Sequence, residues 1–205
     1  KDDPVLETYR GIYPTLFKDG DKMPGALKKH IRYPNKLFKI QADIYRRYHM
    51  NSPSVFYQNE DVWDIAEQIF GTRETKMKPT YYILRLPGEK KEEFVNTLPY
   101  TPKHKKNMTG LLVARNDNGN YGKLVLYKLP KNKLIYGPAQ IEAQIDQNTE
   151  ISKEFSLWNS SGSTYTRGDM FVIPIEDSLM YVEPVYLEST NSAIPEVKRV
   201  IAVYD

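Results

Sequence analysis

His49 and Asp61 are the residues of this chain whose types and setting suit chemistry best. They fall in the stretch RYPNKLFKIQADIYRRYHMNSPSVFYQNEDVW, residues 32–63, which is also crowded with aromatic rings. An imidazole that titrates near neutrality can take up or release a proton, and a carboxylate can orient or assist it. Glu60 and Asp61 together have the look of paired carboxylates or metal ligands. Each residue also has a plain structural reading. His49 closes a helical pattern, where a protonated imidazole gains from the helix dipole. Glu60 and Asp61 follow Asn59, a good N-cap, and carboxylates are favoured in a first helical turn. Gln41 lies on the apolar face of the same helical pattern. Gln41, Tyr45, His49, Tyr57 and Asp61 therefore form the candidate ligand-binding set, a tyrosine-lined polar spot suited to a sugar or a headgroup.

Other chemistries lack their residues. There is no cysteine, so disulfides, thiolate zinc sites and a cysteine nucleophile are excluded. Three histidines without close spacing are a poor zinc set. No Gly-x-Ser-x-Gly turn and no glycine-rich phosphate loop occurs. Asp117 sits among asparagines and a glycine but lacks the spacing and closing glutamate of a calcium loop. Arg167-Gly168-Asp169 spells an adhesion tripeptide, a match too short to carry weight. The expectation is a protein with no assigned catalytic residue, no metal and no cofactor. Arg85 and Glu183 each interrupt an apolar strand pattern. They either face solvent at a sheet edge or form a buried structural ion pair. The net charge of +3 falls short of a nucleic-acid binder's basic stripe. The run Pro102-Lys103-His104-Lys105-Lys106 reads as a solvated loop, and no nucleic-acid partner is expected.

The elements that must position these residues are readable from periodicity. Helices are expected over residues 4–18, from Pro24 to Ile31, and from Pro34 onward. In the last, Leu37, Ile40, Gln41, Ile44, Tyr45 and Tyr48 share one face that should be buried, Phe38 and Tyr45 should both be inward or nearly so, and Lys39 and Arg46 lie away from that face. Ser52-Pro53 opens a further turn, and Val62, Ile65, Ala66 and Ile69 suit a helix ended by Gly71. Strands are expected at 80–86, 109–114, 123–127, 134–136, 170–175, 179–187 and 197–204, with helices after Gly137-Pro138 and around Ile151, Phe155 and Trp158. Residues 160–168 read as a loop. This is an α+β protein: a helical N-terminal third (about 4–71) packed on a largely antiparallel β-sheet (about 79–205) with one helical insertion, read as a single domain over 1–205. No apolar run exceeds about six residues, against the roughly 20 that span a bilayer. The ends look like cuts inside a longer protein.

The order of motifs is specific. Arg32-Tyr33-Pro34 with Leu37-Phe38, Tyr48-His49-Met50, Phe56-Tyr57 with Glu60-Asp61 and Trp63, Pro87-Gly88-Glu89, Tyr121-Gly122-Lys123-Leu124, Gly137-Pro138 and Tyr181 to Leu187 follow one another along the chain. In this the sequence resembles uncharacterised protein family 0182, bacterial membrane proteins without an established activity. Asn51 stands where the family pattern has Asp, and the proline usual after the Trp63 position is missing. The resemblance implies a parent with several membrane-spanning helices followed by a large soluble region outside the membrane, of which this chain would be a piece. It supplies no catalytic residues. The function expected is non-catalytic binding, with other parts of the parent chain, an envelope saccharide or a lipid headgroup as partners. A hydrolase acting on envelope material and a structural assembly module are the alternatives.

Overall fold

The computed structural model describes residues 3–71, 73–117, 119–160, 162–189 and 192–204. The chain divides into two compact units, residues 1–32 and 33–205. The fold is α+β.

The first unit holds helix α1 (Pro4–Ile12), a single 3-10 turn at Gly20–Lys22 and the short helix α2 (Gly25–Lys28). Asp3 caps α1, its carboxylate accepting from the Val5 and Leu6 amides, and Pro4 takes the first helical position. The helix stops well short of residue 18: Tyr13 leaves helical geometry one residue before Pro14.

In the second unit the central element is β5 (Glu92–Pro102). On one side it pairs with β6 (Gly110–Arg115), which pairs with β7 (Leu124–Lys128). On its other side two strands share its length: β4 (Thr80–Arg85) faces residues 92–97 and β1 (Trp63–Ile65) faces residues 100–102. Pro99 lies in the gap between them, where a missing N–H costs no ladder bond, and its carbonyl still accepts from the Ala66 amide at 3.0 Å. A second antiparallel sheet is built on β10 (Ser178–Ser189), flanked by β11 (Ser192–Tyr204) on one side and by β8 (Ser163–Arg167) and β9 (Phe171–Ile175) on the other. A small hairpin joins β2 (Glu67–Phe70) and β3 (Arg73–Lys76). Helices α5 (Pro138–Gln147) and α6 (Thr149–Ser160) contact β2 and β8.

Both faces of the first sheet are covered. Along β6 the side chains alternate: Leu112 and Ala114 enter the main core, whereas Leu111 and Val113 join a second cluster with Leu84, Leu86 and Val95. The main core also receives Trp63, Leu98 and Tyr100 from the first sheet, Ile141, Ile145 and Phe155 from the helices, and Tyr181 and Val185 from β10.

Helix α3 (Asn35–Tyr48) forms where expected, and Phe38 and Tyr45 point inward as expected, but most of the stripe expected to be buried faces outward. Phe38 and Ala42 are buried, whereas Leu37, Ile40, Ile44 and Tyr48 are exposed. The small Ala42 lets β5 approach so closely that the Tyr100 hydroxyl donates to the Ala42 carbonyl at 2.7 Å. Arg46, expected away from the sheet, reaches it: its Nε donates to the Trp63 carbonyl at 2.9 Å and its guanidinium pairs with Asp64. Arg46→Ala should therefore cost about 1–2 kcal/mol in a denaturant melt, as loss of a charge-assisted hydrogen bond. Lys39→Ala, on the exposed side, should cost less than about 0.5 kcal/mol.

Three further expectations are corrected. The stretch 62–71 holds strands β1 and β2, not a helix, because Trp63 and Ile65 enter the core at period two and pair with β5. Leu134 to Tyr136 is not a strand, although the Ile135 carbonyl accepts from Met108 N–H. Residues 163–167, read as loop, form β8.

Candidate functional site

The end of α3 builds the site. His49 is its C-cap, and Nδ1 lies 2.9 Å from the Tyr45 carbonyl. A carbonyl only accepts, so Nδ1 carries the proton. The ring stacks on Trp63 at 3.5 Å with planes 17° apart, which sets the angle at which Nε2 points. Burial pushes the imidazole pKa below its usual 6.5, against the opposing pull of the Tyr45 hydrogen bond and the Asp61 charge. At neutral pH the ring is therefore neutral, with a bare lone pair on Nε2. That atom is buried and makes no hydrogen bond of good geometry among the described residues. The nearest charge is Asp61, its Oδ2 3.8 Å away.

Asp61 is held from another direction. Helix α4 (Pro53–Gln58) ends in a left-handed Asn59, with φ of 56°, and the chain turns from there into β1. Asn59 thus closes one helix and does not open another, so the carboxylates after it are not a first-turn pair. Asp61 instead faces the cleft and accepts from Lys131 Nζ at 2.9 Å. Lys128 Nζ lies 3.4 Å from the His49 carbonyl. His49, Asp61, Trp63, Thr109, Lys128 and Lys131 help line a cleft of about 290 Å³.

The chemistry follows from the facing pair. Two acceptors, a lone pair and a carboxylate, stand 3.8 Å apart with lysine ammoniums at the rim. A donor placed between them would satisfy both, and an anionic group beside it would meet a lysine. A bridging water in the same place would have a neutral base on one side and a carboxylate on the other. No serine or threonine hydroxyl hydrogen-bonds to Nε2 among the described residues; Ser52, on the cleft wall, shares its hydrogen bond with Ser54. The described residues contain no group of three or more histidines and carboxylates placed to hold a metal ion.

Against this geometry stand the comparisons with known proteins. The model of the Uncharacterised protein family (UPF0182) matches residues 1–158. The chain belongs to this family. A UPF0182 protein of Trichodesmium erythraeum is 51% identical over 205 residues, all of this chain and 22% of that protein. One from Sulfurovum is 52% identical over 202 residues, covering 98% of this chain and 22% of its own length. The chain thus spans about a fifth of the length of these relatives. No solved structure matches it.

Of the candidate ligand-binding residues singled out in the sequence, the fold brings the side chains of His49 and Asp61 to one cleft and leaves those of Gln41, Tyr45 and Tyr57 elsewhere. Gln41 accepts from the Tyr33 hydroxyl at 2.6 Å. Tyr45 is half-buried against the core and serves the cleft through its carbonyl. Tyr57 is exposed, its ring 6.0 Å from that of Phe56. Arg85 is exposed on β4, opposite Glu92. Glu183 is buried far along another sheet, with Arg167 Nε at 4.0 Å, so its charged neighbour is Arg167 and not Arg85. Arg167 and Gly168 of the adhesion-like tripeptide are buried as well. Lys106, in the run read as solvated, pairs with Glu67 and Glu74.

Sequence reasoning missed Lys128, Lys131 and the ring under His49. Trp63 and Lys128 belong to strands on either side of β5 and β6, and only strand pairing makes them neighbours of the helix end. It also missed a buried polar cluster. Glu142 and Asp146 of α5 face Arg167 of β8 and Glu183 of β10, and Glu142 Oε2 accepts from Ile69 N–H at 2.5 Å. The one signal in the sequence was Glu183 inside an apolar strand.

Proposed function

We propose that this domain is a non-catalytic ligand-binding part of a longer membrane protein, standing outside the membrane, with the His49–Asp61 cleft as its site. The observation that carries the reading is the buried, unpartnered Nε2 of His49 facing a carboxylate at 3.8 Å. A fold that leaves two acceptors opposed in this way gains from a ligand that donates between them. The complementary chemistry is a hydroxyl or amine donor next to an anionic group, as in envelope saccharides and lipid headgroups. The membrane context is supported by the family resemblance and by relatives long enough to contain much more chain. Among the described residues no helix is long and apolar enough to cross a membrane. Further partners of the reading are other parts of the parent chain, and nucleic acid is not among them.

Calorimetry with glycerol phosphate and with a uronic-acid oligosaccharide tests it. Binding of at least one is expected, with a loss of tenfold or more in His49→Phe and Asp61→Asn. Because the acceptor is the neutral ring, affinity should fall as pH drops through the lowered imidazole pKa. Binding that ignores both substitutions would overturn the assignment.

A second reading is favoured by the same pair. His49, oriented through Nδ1 and neutral, has the properties of a general base for a water held against Asp61, which is the arrangement of a hydrolase without a covalent intermediate. Release of product from bound oligosaccharide, abolished by His49→Gln, would replace the binding reading with this one.

A further inference from the structure

A cavity of about 440 Å³ opens where the two apolar clusters approach one another. Leu111 and Tyr127 reach it from the cluster on the outer face of the first sheet, and Ile135 and Leu179 from the main core. Pro87, Leu129, Pro130 and Pro174 add to a mainly apolar wall. Close-packed interiors leave few voids larger than one water, whereas a space of this size falls within the range of sites for small molecules. Charged residues of both signs join the lining. Lys133 stands on the loop after β7, and Glu176 and Asp177 form the turn between β9 and β10. None of these three side chains makes an ion pair or side-chain hydrogen bond among the described residues. Lys128 also borders the cavity, but its ammonium is turned to the His49 carbonyl. Glu176 holds a left-handed backbone, with φ of 51°, within this turn.

We infer that this cavity binds one acyl chain of a phospholipid with a zwitterionic head. The apolar wall takes the chain, whose transfer from water becomes more favourable with every methylene buried. The mouth divides the head: Lys133 meets the phosphate, and Glu176 and Asp177 meet the ammonium. A fatty acid would leave both carboxylates unanswered and place its own negative charge beside them. A neutral head would answer none of the three charges. The cavity adjoins the His49 cleft through Lys128 and Leu129, but its apolar wall and its three charged residues are its own, so the inference does not rest on the His49 reading.

The test uses lysophosphatidylethanolamine below its micellar concentration, titrated into the intact domain by calorimetry. Saturable one-to-one binding is expected. Pro130→Trp and Ser178→Trp, both at the rim and away from the core, should weaken it at least tenfold, and Lys133→Glu at least threefold. His49→Gln should leave it unchanged. Thermal melts of each variant establish that it is folded. Absence of saturable binding, equal affinity for a sugar-headed detergent of the same chain length, or indifference to both tryptophans would overturn the inference. Loss of binding in His49→Gln would do so too, by placing the lipid in the other cleft.

Discussion

Replacing Phe38 with alanine is expected to cost about 3–5 kcal/mol of folding stability, and replacing Ile44 no more than about 1 kcal/mol. Phe38 is fully buried, packs edge-on against Tyr33 at 6.4 Å between ring centres, and lies in the main core. Its removal loses the transfer energy of a whole ring and leaves a hole between α3 and β5 that the rigid strand cannot close. Ile44 is half exposed, and alanine is the better helix former, so part of its small loss is returned. Urea melts of the two variants with Arg46→Ala and Lys39→Ala decide the orientation of the helix. Equal costs for Phe38→Ala and Ile44→Ala would mean that α3 is docked on the wrong face.

That contrast also shows what periodicity can reveal. Two apolar stripes run along α3, Leu37-Ile40-Ile44-Tyr48 and Phe38-Ala42-Tyr45-His49. Spacing identifies both and ranks neither. The greasier stripe looks like the buried one, but the helix lies against β5 through its smallest residue, because Ala42 admits the Tyr100 hydroxyl. The local elements with strong punctuation were legible: α5 begins at Pro138 as its Gly137-Pro138 start implies, and the hairpin of β6 and β7 spans its asparagine-rich turn. The strand at the centre of the sheet was not. Glu92, Glu93, Asn96 and two prolines make β5 read as loop, yet two of its polar side chains find partners distant in sequence. Asn96 donates to Asn35, and Glu93 pairs with Arg115. The site was half legible for the same reason. His49 and Asp61 are twelve positions apart and suggest themselves, whereas Lys128 and Lys131 arrive through strand order that no local pattern contains.

The second large effect belongs to the buried cluster around Arg167. Its guanidinium donates to Asp146 Oδ1 at 2.5 Å, has Glu183 at 4.0 Å, and stacks over Phe155 at 5.2 Å. Glu142 and Glu183 are both almost fully buried. Burial pushes the Glu142 pKa up to about 8, helped by the charge of Glu183, and that of Glu183 up to about 7 against the pull of Arg167. Among the described residues, Arg167 is thus the cation that acts on two acids that folding has made reluctant to ionise. Arg167→Met should cost about 3–5 kcal/mol above pH 8, where Glu183 would be left as a buried carboxylate without its cation, and clearly less at pH 6, where it carries a proton. The wild type has its own signature. Both acids hold protons in the folded state that the unfolded chain, with an ordinary carboxyl pKa near 4.5, has already released. Folding therefore binds protons above pH 4.5, and this contribution, whole below that point, is lost as pH rises through about 8. The slope is at most about 1.4 kcal/mol per pH unit for each proton. His49 works in the opposite sense, since its lowered pKa costs stability only as pH falls below 6.5, so the window from pH 7 to 9 reports on the acids. Glu142→Gln keeps an acceptor for the Ile69 amide and has no proton to lose. Its stability should fall less steeply across that window and exceed the wild type's at pH 9 by about 1 kcal/mol or more. Urea melts at constant ionic strength from pH 5 to 9 measure all three chains. A wild-type stability that climbs between pH 7 and 9, or a Glu142→Gln slope identical to it, would show that Glu142 is ionised in the fold and that the cluster is an ion network with no stored proton.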